Sequence, residues 1–348
     1  MERSAIKPSI ALVDDAVREN ARRWRAHAGA PVWAVVKADG YTWGALRLVA
    51  ILDDVVEGYF VADASEAREI RSVTSRPIAT FAASQPAEVA ELLDAGIIPN
   101  VASQEALRAA DRWARARGLR ARIRVGIVPA AGWSGLLEDA IAPFVAACSG
   151  AAVEIELWSH LTAPSLWGSQ RERFDRARRA FETAGVPITG TDHAGTFVSA
   201  VEGRTAQSRV RIGIGLFGAR DPDGSGPELA CALRIEAPVV DVLPASAVRS
   251  AGYRPAEPLP EPWLAVVRCG YADGLPTRLA GTNNIVSVGM QYAVVARKSP
   301  EQIGDGLRLL DTSSDLCTFL TGTGMSPHEF VVGVGRGVAE HARHIEKR

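Results

Sequence analysis

From about residue 30 to residue 220, short apolar runs alternate with longer Ala-, Arg- and Glu-rich amphipathic stretches. That rhythm is the pattern of repeated β/α units, in which helices cover a parallel sheet. The expected strands are Val32–Lys37, Gly58–Ala62, Ile78–Ala82, Ile98–Ala102, Ala121–Ile127, Glu154–His160, Ile188–Asp192 and Val210–Ile214. Eight of them within roughly 190 residues predict an eight-stranded, TIM-like barrel rather than an open sheet. Hydroxyl residues mark helix starts between them, such as Ser103 ahead of Glu105 and Ala106, and Ser169 ahead of the Arg-rich stretch to Ala180.

The rhythm stops at Gly218. The segment 221–227 is built of turn residues, and beyond it Leu233–Leu243, Trp263–Arg268, Ile285–Val288, Tyr292–Ala296 and Phe330–Val334 read as strands between Pro/Gly turns, with no long helix expected. The fold class is therefore α/β, with a β/α barrel over residues 1–225 and a carboxy-terminal β-rich domain over 226–348, the boundary falling near 219–228. The proline-rich stretch 254–262 reads as a stiff extended loop.

A chain of 348 residues, 47% hydrophobic, is long enough to bury both units. Lys and Arg number 39 against 40 for Asp and Glu, a net charge of −1, so nothing favours a nucleic acid or an anionic membrane, and a small-molecule site is the default. The four cysteines, Cys148, Cys231, Cys269 and Cys317, are scattered, which argues against a zinc site or a disulfide framework. The first eight residues lack the apolar core of a signal peptide, and no apolar stretch of about 18 residues occurs, so a soluble cytoplasmic protein is expected.

Lys37 closes the apolar run Val32–Val36, and turn residues follow at once. At the carboxyl end of a barrel strand a side chain reaches the ligand-binding mouth, where desolvation lowers an ammonium pKa toward the reactive free amine. The alternative is a strand-end lysine whose ammonium reaches solvent. His160 and His193 each follow a strand-like run, so they either face the same mouth or serve as satisfied structural groups. Gly213–Gly218 matches G-x-G-x-x-G, but it lies late in the unit with no helical segment expected after it, which does not fit a dinucleotide site. Its glycines can still bring backbone N–H groups close to a phosphate. Tyr271 lies in a tight Gly270–Gly274 turn that by itself implies no catalysis.

Taken in order, Ala34-Val35-Val36-Lys37-Ala38-Asp39-Gly40-Tyr41, Ser159-His160, Asp192-His193-Ala194, the run from Arg211 to Gly218, Gly270-Tyr271-Ala272-Asp273-Gly274 and Arg297-Lys298-Ser299-Pro300-Glu301-Gln302 resemble the bacterial alanine racemases, pyridoxal 5′-phosphate (PLP) enzymes of fold type III. The resemblance spans most of the chain. It implies an amino-terminal barrel, a carboxy-terminal β domain and a head-to-tail homodimer whose sites borrow residues from the partner. Lys37 would carry PLP, and Tyr41 with the backbone at Gly213 and Ile214 would hold its phosphate. Arg211 would face the pyridine nitrogen and keep it unprotonated, because a guanidinium does not surrender its proton. Tyr271 of the partner subunit would be the acid/base opposite Lys37, and His160 would bridge that tyrosine to Arg211.

The departures concern the substrate. Where the family places a carboxylate-binding arginine after the fifth strand, Trp133 is the nearest counterpart here, and a tryptophan offers a carboxylate no charge. Where the family has Ser-Met-Asp-Gln, this chain has Ser299-Pro300-Glu301-Gln302, and Pro300 has no N–H to donate. Thr196-Phe197 stands for a phosphate-binding Asn-Ser, and His328 for the tyrosine of the last Tyr-Glu pair. Trp43, Trp133 and Phe197 either line a pocket for a larger, less polar substrate or fill the core.

The implied activity is that of a PLP-dependent isomerase, a racemase or epimerase using a Lys/Tyr pair on an amino acid or amine other than free alanine. One alternative keeps PLP and changes the reaction to decarboxylation, elimination or aldol-type cleavage. Another is a non-catalytic PLP-binding protein.

Overall fold

The computed structural model describes residues 7–129, 132–161, 164–193, 195–196, 209–220, 226–251, 254–255, 259 and 261–345. A first strand, β1 (Ser9–Leu12), precedes the barrel repeat. The barrel strands are β2 (Val32–Val35), β3 (Gly58–Val61), β4 (Ile78–Ala83), β5 (Ile97–Asn100), β6 (Ala121–Gly126), β7 (Val153–Trp158), β8 (Ile188–Asp192) and β9 (Val210–Ile212). They form one parallel sheet in the order β8-β7-β6-β5-β4-β3-β2-β9. Every residue of β2, β3 and β5 is buried, as expected of a sheet covered on one face by helices and on the other by its own interior.

Trp33 of β2 is in register with Gly58 on one side and Arg211 on the other. Gly58 is required there, because a Cβ would lie 2.7 Å from the Trp33 ring. On β6 and β7 the residues Ile123, Val125, Ile155 and Leu157 join the helix residues Leu107, Phe144, Phe174 and Phe181 in one cluster. The alternation of side chains then points Arg124 and Glu156 into the barrel, where both are fully buried.

Among the described residues no backbone ladder joins β8 to β9. Ion pairs cross that seam instead: Arg209 Nη2 lies 2.8 Å from Glu156 Oε2, and Arg211 Nε lies 3.0 Å from Asp192 Oδ1. Asp192 also holds Arg124 at 2.8 Å. Phe60 lies under the Arg124 guanidinium at 4.3 Å and Trp33 under that of Arg209 at 4.4 Å, so aromatic faces replace the missing water.

Ser103 starts the helix Gln104–Arg117 as expected, its Oγ accepting from Ala106 N at 3.1 Å. Ser103→Ala should cost about 1 kcal/mol, read as a lower urea midpoint at unchanged slope. Ser169 does not start a helix. The helix Trp167–Thr183 is already under way there, and the Ser169 hydroxyl donates back to Leu166 O at 3.0 Å.

The second sheet is antiparallel and contains β10 (Leu233–Pro244), β13 (Trp263–Val267), β14 (Ile285–Val288), β15 (Ala293–Arg297) and β16 (Gly306–Leu310), with β1 paired along β10. Residues 250–251 (β11) and 254–255 (β12) form a small separate ladder; most of the proline-rich loop after it, like 221–225 and Phe197, lies outside the described residues.

The expected strand Phe330–Val334 is instead part of the helix Pro327–Ile345. Pro327 suits a first helical position, Ser326 Oγ accepts from Glu329 N at 3.1 Å, and Phe330, Val331 and Val334 are buried at helical spacing. The valines and glycines imitate a strand, but two of the glycines, Gly335 and Gly337, serve close approach. A Cβ on Gly335 would lie 2.4 Å from Thr42 Oγ1, and one on Gly337 would lie 2.4 Å from Asp273 O.

Candidate active site

Lys37 stands at the carboxyl end of β2, half-buried, and begins a single turn, Lys37–Tyr41, that winds left-handed. Ala38, Asp39, Gly40, Tyr41 and Thr42 have φ of 56, 49, 61, 58 and 71°. Side chains at four such positions are strained, so the surroundings must enforce the turn. Gly40 N bonds to Val36 O and Thr42 N to Ala38 O, both at 2.9 Å. The Asp39 carboxylate accepts from Ala45 N at 2.7 Å, and Thr42 and Trp43 donate to Val332 O and Val331 O of the last helix at 3.0 and 3.1 Å.

Burial, and next the positive charge of Arg211, hold the Lys37 ammonium below its ordinary pKa, while Glu66 pulls the other way. The Lys37 Nζ lies 5.6 Å from the Phe81 ring and 5.8 Å from the Trp133 ring. Trp133 stacks on His160 with centroids 4.0 Å apart and planes at 22°. The Cε1 edge of His160 packs against Gly195, where a Cβ would lie 2.9 Å away. Burial, then Arg211 and Lys37, hold the imidazole well below its ordinary pKa, and its buried Nδ1 has no hydrogen-bond partner among the described residues. Arg211 is fully buried, donates to Ser159 O at 2.5 Å and is tied to Asp192.

Tyr41 is buried between Phe217, at 5.4 Å, and His328, at 6.0 Å. Burial pushes its phenol pKa up, so it remains a proton donor. Gly213 admits that phenol: a Cβ there would lie 2.1 Å from Tyr41 Oη. Thr196 Oγ1 accepts from Gly213 N at 3.3 Å and Gly215 N at 3.4 Å. After Gly213, within the glycine motif itself, comes one 3-10 turn, Ile214–Phe217, too short for a dinucleotide helix.

Lys37, Tyr41, Trp133, His160, Thr196, Arg211, Gly213, Ile214 and His328 thus stand around one mouth. His193 does not join them. Asp192 takes the inward direction, and His193 turns to the outer helix, with its Nε2 2.8 Å from Arg171 Nη2 and Phe174 at 5.4 Å. Tyr271, 47% exposed, lies on a turn of the antiparallel unit that is pinned by Arg268 and Gly270 N, each on Asp273 Oδ2 at 2.7 and 2.9 Å. Pro300 is exposed and Glu301 accepts from Arg297 at 2.5 Å. Among the described residues no hydrogen bond or ring contact of the single chain links Tyr271, Pro300 or Glu301 to the Lys37 cluster.

Sequence reasoning passed over Glu66, Phe81 and the buried group Arg124, Glu156 and Arg209. The alternations Arg122-Ile123-Arg124 and Glu154-Ile155-Glu156 look like half-solvated strands; the sign that could have exposed them is their occurrence on adjacent strands of an otherwise apolar barrel.

Fold and site together define a β/α-barrel protein with an antiparallel second unit and a desolvated lysine at the barrel mouth. The chain belongs to the alanine racemase family: the family model described as alanine racemase, N-terminal domain, matches residues 13–221. The alanine racemase of Beutenbergia cavernae is 32% identical over 83% of this chain and 81% of its own. In fold the chain is similar to the alanine racemase of Bartonella henselae, solved with covalently bound pyridoxal phosphate, at a TM-score of 0.75 and 21% identity over 95% of this chain and 98% of the other. It is also similar to the histidine racemase of Leuconostoc mesenteroides subsp. sake, at a TM-score of 0.71 and 18% identity over 95% and 96%.

Proposed function

We propose that this protein is a PLP-dependent racemase or epimerase of an amino acid or related amine other than free alanine. The observation that carries this is the Lys37 amine, half-buried at the barrel mouth and held below its ordinary pKa beside a buried arginine. The surrounding residues fit the cofactor. Gly213 leaves room for a phenol donor at the start of a backbone turn, Arg211 offers a fixed cation, and the buried His160 Nδ1 has no partner among the described residues.

Bound there, PLP supplies an electron sink that acidifies the α-proton of an attached amine. Lys37 would hold the cofactor and move that proton at Nζ. Tyr41 Oη, Thr196 Oγ1 and the amides after Gly213 would bind the phosphate, with His328 beside Tyr41. Arg211, fixed by Asp192 and Ser159, would keep its protons and limit how far the pyridine nitrogen draws charge. In a head-to-tail homodimer Tyr271 of the partner subunit would move the proton on the opposite face, with His160 between that phenol and Arg211. The exposure of Tyr271 in the single chain is consistent with such a reach.

Trp133 bears on the substrate. Its indole lies over His160 and near Phe81, so this side of the mouth is an aromatic wall. With Pro300 and Glu301 at the other family carboxylate position, the wall favours a substrate with a larger apolar or planar side chain over alanine.

The test is incubation of the PLP-loaded protein with a panel of amino acids in D₂O, read by NMR. Deuterium should enter the α-position of a bulky substrate with mass otherwise conserved, and faster than into alanine. Tyr271→Phe should slow exchange from one enantiomer by about 10² to 10⁴-fold. Absence of exchange across the whole panel, or release of carbon dioxide, ammonia or aldehyde, overturns the reading.

A further inference from the structure

Glu66 is the third residue of the helix Ala64–Arg71, whose start is already capped: Asp63 Oδ1 accepts from Ser65 N at 2.9 Å and Glu66 N at 3.1 Å. A glutamate at this position ordinarily folds back on the backbone ahead of its own helix. Glu66 does so with one oxygen, Oε2 accepting from Ala62 N at 2.7 Å. Its other oxygen, Oε1, leaves the helix start, crosses to the neighbouring β/α turn and accepts from Ala38 N at 2.7 Å. Capping does not need that second bond. Ala38 N belongs to the peptide immediately after Lys37 and opens the left-handed turn.

The electrostatics point the same way. Arg211 on β9, His160 after β7, His328 on the last helix and Tyr41 on the turn surround the lysine, and none of them is an anion. Asp39, on the same turn, has one carboxylate oxygen on Ala45 N. Among the charges acting on Lys37, Arg211 is the cation and Glu66 the anion opposing it.

We propose that Glu66 is the positioning residue of Lys37: one oxygen on Ala62 N and the other on Ala38 N clamp the peptide after the lysine to the end of the next strand and fix a carboxylate beside the lysine turn. Its placement of a reactive amine rests on the function proposed above. Glu66→Gln keeps the size but removes the charge, and its NH₂ opposes one of the two backbone donors.

The experiment follows acylation of Lys37 by acetic anhydride against pH in the cofactor-free protein, by peptide mass spectrometry, beside the rate of PLP uptake by absorbance. Without the anion the ammonium loses its proton more readily, so in Glu66→Gln the acylation midpoint should move down by about half to one pH unit. PLP uptake should slow about threefold or more, since a loosened amine presents itself less often. Glu66→Asp, which keeps the charge on a shorter arm, should restore the midpoint and leave uptake slow. Asp63→Ala removes the cap of the same helix without touching Ala38; it should lower the melting temperature and leave the midpoint in place. A folded Glu66→Gln variant with wild-type midpoint and uptake overturns the proposal. If the midpoint shifts while borohydride traps no PLP on Lys37 of the wild type, the clamp stands and the functional reading falls.

Discussion

Lys37→Ala should leave no PLP trapped by borohydride on the chain and reduce α-proton exchange by about 10⁴-fold or more. The neighbours explain why nothing replaces the amine. Tyr41 is held protonated by burial, Arg211 is tied to Asp192 and Ser159, and the imidazole of His160 is stacked on Trp133 with its edge against Gly195. Among the described residues, the charged groups acting on Lys37 are Arg211 and Glu66, and neither is an amine. Stability should change little, because only the half-buried stem of a strand-end side chain is lost. Peptide mapping after borohydride, exchange by NMR and a melting curve check the three statements together. Wild-type exchange in a folded Lys37→Ala protein would remove the basis of the functional proposal.

Asp192→Asn should destabilise the fold by about 3–5 kcal/mol, because it takes one charge from a buried set and leaves the opposing cations in place. Asp192 holds Arg124 at 2.8 Å and Arg211 at 3.0 Å, and all three side chains are essentially without solvent. Burial alone would raise the Asp192 pKa, but Arg124, Arg211 and Arg209 outweigh it and hold the carboxyl below its ordinary range. A depressed folded-state pKa gives stability that is complete above about pH 5 and is lost as pH falls through the folded value. Glu156→Gln should cost less, since one of its partners, Arg122, is 43% exposed and can turn to water. Guanidinium titrations near neutral pH check the order, and a loss below about 1 kcal/mol for Asp192→Asn contradicts the account.

How far the fold was legible depended on where periodicity reported burial. β2 and β3 are apolar throughout because helices cover one face and the barrel fills the other, so a continuous run found each of them to within a residue or two. Asp63 and Glu66 carry an ordinary helix-start pattern, and nothing local says that one glutamate oxygen serves a different β/α unit. The last helix was missed because Gly333, Gly335 and Gly337 among valines imitate a turn-rich strand, whereas two of those glycines exist for contacts with residues far away in the chain. Of the residues now gathered at the mouth, Lys37, His160 and the Gly213 turn stood out because each ends or follows an expected strand, whereas Tyr41 and Arg211 were reached only through the family resemblance. His193 left two readings open, and the alternation that turns Asp192 inward decides for the structural one.

The last helix carries a geometric consequence. Gly335 is seated against Thr42 of the lysine turn, and Gly337 against Asp273 of the turn that bears Tyr271. One strut therefore fixes, within the chain, the offset between the Lys37 amine and the exposed Tyr271 phenol. In a two-fold head-to-tail pair a single rotation would set both cross-subunit distances at once, so the two mouths would share one alignment and a small tilt at the interface would reach both equally.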